Sequence, residues 1–246
     1  RRLTVPERIL FDGSIYQELD EEAVRAACHR FAKQGVESVA ISLLFSFVNP
    51  AHEKRVAEIV AEELPGVEIS MSHEVLPRAP EYDRTSTTVV NAYVAPRVFS
   101  YLEKLVERLK DGGYANSLMV MQASGGVMTK EYIENAPIRV LASGPAGGVI
   151  GSAHVGSAKG YPNLLCIDMG GTSYDISLVL DGVAPAESRW NLHHRYVVGI
   201  PMVKVETLGA GGGSICHVHN GMLQVGPSSA RSEPGPLCYG RRCTKP

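Results

Sequence analysis

The sequence has no apolar run of the roughly 20 residues that a membrane-spanning helix requires, and no secretory signal at its start. It also lacks a dominant charge. Lys and Arg number 24 against 26 Asp and Glu, a formal net charge of −2, and no basic cluster offers the electrostatic footprint that nucleic acid demands. Paired cysteines are missing as well. Cys28, Cys166, Cys216, Cys238 and Cys243 are odd in number and without matched spacing, so free thiols and a reducing, cytoplasmic compartment are expected rather than a disulfide framework. Cys28 falls in a helical pattern and Cys166 in an apolar strand, where a thiol packs as a small hydrophobe. There is no initiator Met, and the sequence stops abruptly on "RRCTKP"; a piece of a longer polypeptide is the expectation. Repeats and low-complexity segments are absent.

What is present is an ordinary globular composition, 44% hydrophobic and 20% charged, with 25 glycines concentrated between Gly144 and Gly240. The two halves therefore differ in texture, with the change near residue 143. In the first half, apolar positions 23, 24, 27 and 31 form a helical stripe capped by Asp20 and stopped by Gly35. "VESVAISLLFSF" (36–47) reads as a buried strand. Asn49 and Pro50 open a second helix that ends at Pro65-Gly66, and 67–72 is a second strand. Alternation of strand and helix predicts an α/β fold with a mainly parallel sheet. Helix is expected from about Arg84 to Ala95, with Pro96 opening a separate helix to Lys110. Strands are expected at 117–122 and 138–143, then a helix over 144–160 whose many small residues suit close backbone approach or a hinge.

Chemistry concentrates in the glycine turns. "IDMGGTSYDIS" (167–177) places Gly170 and Gly171 between Asp168 and Asp175, with apolar strand patterns on both sides. Glycine lets the backbone approach an anion with no Cβ in the way. Thr172 and Ser173 add hydroxyls, and the two carboxylates suit Mg²⁺ held through water, or the orienting of an attacking water. A hairpin with polar flanks explains the same residues. "SGPAGG" (143–148) puts Gly144 at a helix start, where free N–H groups favour anions, although capping by Ser143 with Pro145 in the first turn accounts for the pattern too. "LGAGGGSI" (208–215) sets Gly211, Gly212, Gly213 and Ser214 after a strand, suited to passing beside a nucleotide or to a strand-to-helix loop. "ASGG" (123–126) ends another strand, with Gln122 and Ser124 able to face a cleft. Ligands of α/β sheets gather beyond strand ends. His193-His194 and His217-x-His219 have no further ligand at a metal-binding spacing, so exposed structural histidines are the expectation. Ser143 and Ser214 have no evident base, which argues against a serine nucleophile.

"RVLASGPAGGVIGSAHVGSAKGYPN", "DMGGTSYDISLV", "VETLGAGGGSI" and "PGPLCYGR", with the earlier "EYDRTSTTVVNAYVAP" and "VMQASGGVM", resemble the A-type subunit of the hydantoinase/oxoprolinase family in collinear order over nearly the whole chain. The resemblance implies incomplete lobes of the actin, sugar-kinase and heat-shock ATPase fold (ribonuclease H-like). It implies residues 1–80 as the end of the family's N-terminal region, 81–158 as a segment containing the connecting hinge helix, and 159–246 as the start of the second ATPase lobe. It further implies ATP and Mg²⁺ as cofactors. Asp168 and Asp175 would face the metal and water; Gly170, Gly171, Thr172, Ser173 and Gly144 would face phosphate; Gly211, Gly212, Gly213 and Ser214, as the next strand-to-helix turn, would lie beside the nucleotide. The implied reaction is ATP-dependent hydrolysis of a cyclic amide (a hydantoin, 5-oxoproline or a related lactam) in an oligomer with a B-type subunit. A ketone carboxylase subunit and a nucleotide-responsive scaffold without turnover are the alternatives. The family's first "D-x-GGT" hairpin is missing, and "RRCTKP" departs from the "RGGT-P" expected after "CYGR". The chain alone is therefore expected to hydrolyse ATP poorly.

Overall fold

A computed structural model describes residues 2–241. In chain order the elements begin with β1 (Arg8–Ile9), β2 (Ile15–Gln17), α1 (Glu21–Ala32), β3 (Ser38–Ile41), α2 (Ala51–Glu63), β4 (Glu68–Met71), α3 (Ser72–Val75) and α4 (Glu81–Asp111). Next come β5 (Met119–Met121), β6 (Val127–Thr129), α5 (Lys130–Asn135), a 3₁₀ turn (Pro137–Val140) and α6 (Ser143–Ala158). The remainder is strand: β7 (Leu164–Met169), β8 (Tyr174–Val179), β9 (Ala186–Glu187), β10 (Trp190–His193), β11 (Tyr196–Val198), β12 (Met202–Val203), β13 (Glu206–Leu208), β14 (Ser214–His219) and β15 (Met222–Ser229), before a 3₁₀ turn at Leu237–Tyr239. The chain forms two compact units. The first holds the chain up to Val120 with Gly126–Leu141 and Ser188–Pro201; the second holds Met121–Gly125, Ala142–Glu187 and the chain from Met202 on.

In the first unit, α1 and α2 cover the β3-β4 sheet, burying Val24, Cys28, Val39, Ile41, Val56, Ile59, Val60 and Leu64 together. Asp20 caps α1 as its sequence implies, its carboxylate accepting from the Ala23 N–H at 2.9 Å, and Asn49 accepts from Ala51 N–H at 3.1 Å. Among the described residues β3 and β4 pair in parallel. The pairs β1-β2, β7-β8, β8-β13, β9-β12, β10-β11 and β14-β15 are antiparallel, so the expected mainly parallel sheet is not formed.

Three further expectations change. The strand expected over 36–47 stops at Ile41. The fully buried Glu53 carboxylate takes the Leu43 N–H at 2.8 Å, and Phe45 enters the left-handed region at φ 55°, turning the chain away. Pro96 does not divide two helices; α4 runs through it from Glu81 to Asp111. The missing N–H costs about 3 kcal/mol in a helix interior, which the burial of Ala92, Ala95 and Leu102 on both sides offsets. The strand expected over 138–143 is a 3₁₀ turn followed by the start of α6, because buried Asn91 accepts the Ile138 N–H at 3.0 Å and Leu141 N–H closes on the Ile138 carbonyl.

In the second unit α6 lies on the sheet of order β13-β8-β7. Ala146, Val149, Ala153, Val179 and Val203 form its core, with Leu164 and Cys166 packed against them. Close approach explains one glycine of α6: a Cβ at Gly156 would meet Leu164 at 2.5 Å and the Tyr161 carbonyl at 2.9 Å. Gly144, Gly148 and Gly151 face open space instead. Strand alternation turns Leu165, Ile167, Met169, Leu178, Leu180 and Leu208 to the other face of the sheet, where all six are exposed.

Candidate functional site

The hairpin that the sequence singles out is formed. β7 and β8 pair from Leu164↔Val179 to Met169↔Tyr174, and this register sets Asp168 directly opposite Asp175. The face carrying Cys166, Asp168, Asp175 and Ser177 borders α6. Together with Pro145, Gly148 and Ser152 of the helix, these residues line a cleft of about 190 Å³. β13 extends the sheet, placing Thr207 beside Asp175, and the Thr207 hydroxyl donates to Asp175 Oδ1 at 2.6 Å. Asp168 has no hydrogen-bond or ion-pair partner among the described residues. Carboxylates directly opposite on paired strands repel, so the pair presents concentrated negative charge at the mouth of the cleft.

Between the aspartates the chain turns tightly, the Gly170 N–H donating to the Ser173 carbonyl at 2.9 Å. The N–H groups of Gly171, Thr172 and Ser173 have no acceptor among the described residues; Thr172 is exposed, while Gly171 and Ser173 are half-buried. Such a row of free donors is what an anion requires. The second glycine turn is brought against the first. Gly212 and Gly213 N–H groups donate to the Gly170 and Gly171 carbonyls at 2.9 and 2.7 Å. A Cβ at Gly211 would sit 2.7 Å from both the Gly170 oxygen and the Thr172 nitrogen, and one at Gly213 2.8 Å from the Gly171 oxygen. These glycines are there because two backbones touch. Ser214 serves the same turn, its hydroxyl accepting the Gly211 N–H at 2.7 Å. The turn at 209–213 connects β13 to β14, strand to strand, not strand to helix as its sequence suggested.

Gly144 lies in the first turn of α6, next to cleft-lining Pro145. Ser143 is inside the helix and does not cap it. The cap position is Ala142, in the left-handed conformation at φ 55°, with no side-chain bond to the first-turn N–H groups. Gln122 to Gly125 instead make a turn tied to β12, Ala123 accepting from Val203 N–H at 2.7 Å. The His193 and His194 rings lie with centroids 4.0 Å apart and planes tilted by 55°, and His217 and His219 are exposed on β14. No group of three His, Cys, Asp or Glu side chains among the described residues could hold a metal ion. Cys28, Cys166, Cys216 and Cys238 are free thiols, and Cys243 lies outside the described residues. No helix among the described residues is long and apolar enough to cross a membrane.

The sequence did not disclose Thr207. Nothing in "KVETLG" marks that threonine, since only the β8-β13 register brings it to Asp175. The mutual docking of the two glycine turns was equally hidden, although the glycines themselves were its signal.

Residues 84–246 match the sequence profile of the Hydantoinase/oxoprolinase family, and residues 1–64 match that of the Hydantoinase/oxoprolinase N-terminal region. The chain is similar to caprolactamase subunit alpha of Pseudomonas jessenii, with 42% identity over 246 residues, all of this chain and 35% of that protein. It is also similar to the acetophenone carboxylase gamma subunit of Aromatoleum aromaticum, with 36% identity over 99% of this chain and 34% of that protein. The crystal structure of ATP-dependent caprolactamase from Pseudomonas jessenii superposes with a TM-score of 0.80 at 40% identity, covering 98% of this chain and 35% of that one. The chain thus spans about a third of the length of the curated relatives it matches. Its mixed α/β architecture is shared with that solved relative. By both profile matches, and by likeness along its whole length, the chain belongs to the hydantoinase/oxoprolinase family.

Proposed function

We propose that the 168–175 hairpin is one phosphate-binding hairpin of an ATP-dependent enzyme acting on cyclic amides. In this reading the chain from residue 159 on begins the second lobe of an actin-like ATPase fold, and α6 is that fold's connecting helix. The observation that carries it is the cross-strand pair Asp168↔Asp175 at the mouth of a cleft, with the free N–H groups of Gly171, Thr172 and Ser173 beside it. Donors meet the phosphates and carboxylates balance them through a cation. The residues fit magnesium: two oxygen donors on one face, one of them without a partner among the described residues, suit a hard ion that keeps most of its waters. When bound there, magnesium would neutralise phosphate charge.

The reaction follows from the amide. Transfer of the γ-phosphoryl group to the ring carbonyl oxygen releases ADP and makes the carbonyl carbon electrophilic. Water adds at that carbon, the ring nitrogen takes a proton as the C–N bond breaks, and the acyl phosphate so formed is hydrolysed by a second water to carboxylate and phosphate. Asp168, the carboxylate without a partner, is placed to orient water, while Gly144 and the first turn of α6 add N–H groups on the cleft's helix side. Gly211, Gly212, Gly213 and Ser214 support the hairpin from behind and border the nucleotide. The solved relative is an ATP-dependent caprolactamase. Relatives are named as subunits, which supports an oligomer with a second subunit, of B type in this family.

The likeness to an acetophenone carboxylase subunit favours a second reading, in which the phosphoryl group goes to an enol oxygen and the substrate carbon is carboxylated. Product analysis with hydantoins, lactams and ketones decides between them: ATP consumption that needs bicarbonate and a ketone overturns the amide reading. Asp168→Asn separates both from a scaffold role. It is expected to lower ATP hydrolysis by the assembled enzyme at least tenfold, and unchanged hydrolysis would leave only the scaffold.

A further inference from the structure

We propose that Thr207 is a positioning residue that makes the two aspartates unequal: Asp175 is the fixed carboxylate and Asp168 the mobile one. The inference rests on the reading of 168–175 as a cation–phosphate site and assigns different duties within it. Thr207 is level with Asp175 in the β8-β13 register, and its single hydroxyl proton goes to Asp175 Oδ1 at 2.6 Å. That bond fixes the carboxylate's rotamer and leaves Oδ2 with no partner among the described residues. The strand delivering it is itself pinned, because the buried Ser177 hydroxyl donates to the Lys204 carbonyl at 2.6 Å just before β13. Asp175 is therefore held from its own strand and from the next one.

Asp168 is in the opposite situation. It lies on β7, whose only strand partner among the described residues is β8, and it is exposed. Two carboxylates across a strand pair repel each other. With one of them locked by Thr207, the strain of that repulsion falls on the other, which relieves it by swinging outward. A cation between them removes the repulsion and draws Asp168 back. The pair works as an anchor and a latch. Asp175 sets where the ion sits, and Asp168 closes only when the ion is present, arriving with an unbonded oxygen available to a water molecule.

The test uses Mn²⁺ as a spin probe on the 246-residue chain, free ion being counted by EPR with and without a non-hydrolysable ATP analogue. Thr207→Val keeps the β-branch and removes the hydroxyl; Thr207→Ser removes only the methyl. Loss of a group that orients a ligating side chain costs about 10- to 100-fold in metal affinity. A weakening of that order is expected for Thr207→Val, with Thr207→Ser close to wild type. In an Asp175→Ala background the Thr207→Val change should have no further effect, because no acceptor is left at position 175 for the hydroxyl it removes. Wild-type affinity in Thr207→Val, with weakened affinity in Asp175→Ala, overturns the positioning role and leaves the site reading intact. Unchanged affinity in Asp175→Ala overturns the site reading and this inference with it. A loss in Thr207→Ser equal to that in Thr207→Val assigns the effect to methyl packing and also overturns the proposal.

Discussion

Gly211 and Gly213 are glycines for a steric reason that a single substitution can expose. Added carbon at Gly211 would stand 2.7 Å from a carbonyl oxygen and from an amide nitrogen of the facing turn, both backbone atoms that cannot rotate away. Gly211→Ala should therefore lower unfolding free energy by about 1–3 kcal/mol, the usual range for overpacking, in urea titrations. Gly148→Ala, with open space at its Cβ, should raise stability by up to about 1 kcal/mol through helix propensity. Asp168→Asn is the informative contrast among charged residues. Without divalent cation it should stabilise the chain by about 0.2–1 kcal/mol by relieving the cross-strand repulsion, read as a higher melting temperature. Added Mg²⁺ should stabilise wild type and leave the variant unmoved; a variant no more stable than wild type without cation would show that the two charges do not feel each other.

At the scale of elements, legibility followed the range of the interactions. Helix α1 with its Asp20 cap, α6, and the β7-β8 hairpin were legible because their signals are local: a stripe, a cap, two alternating runs around a turn. The misread elements were decided by partners far away in sequence. Glu53 ends β3 from ten residues on, and Asn91 bends residues 137–140 from 47 residues back. Pro96 is a local signal overruled by burial on both sides. Pro96→Ala would supply the missing N–H donor and should raise the unfolding free energy, by no more than the ~3 kcal/mol that an interior proline costs; a drop would mean that ring packing holds the helix there. Helices α1 and α2 carry their own pH dependence. Hydrogen bonding to Arg55 lowers the Glu21 pKa and hydrogen bonding to Arg25 lowers that of Glu63. A depressed folded-state pKa gives stability that is present above the unfolded carboxylate pKa and lost as pH falls through the lowered value. Hydrogen exchange in α1 and α2 should therefore accelerate in mildly acidic solution below the ordinary glutamate range of about 4.3, and Arg25→Gln should shrink that acid dependence.

For the molecule as a whole, one face of the β13-β8-β7 sheet is out of character for a surface. Leu165, Ile167, Met169, Leu178 and Leu208 lie together at 49–61% exposure, beside an edge strand with no second strand partner among the described residues. Apolar patches of this kind, and open edges, favour association. The isolated chain should bind an apolar dye such as ANS while fully folded, and should self-associate as concentration rises. Ile167→Lys should reduce both effects without lowering helix content. Weak dye binding by the folded wild type would mean that the face is covered in solution.

The docking of the two glycine turns also ties the first of them to a more distant hairpin. The carbonyls of Gly170 and Gly171 are held by the amides of Gly212 and Gly213, and the Gly213 carbonyl is held in turn by Ala230, just past β15. A pull on the Thr172 or Ser173 amide is thus passed through backbone bonds alone to the root of the β14-β15 hairpin. If nucleotide occupies the turn as proposed, amide exchange at residues 212–230 should slow when it is added; unchanged exchange there would show that these bonds transmit nothing.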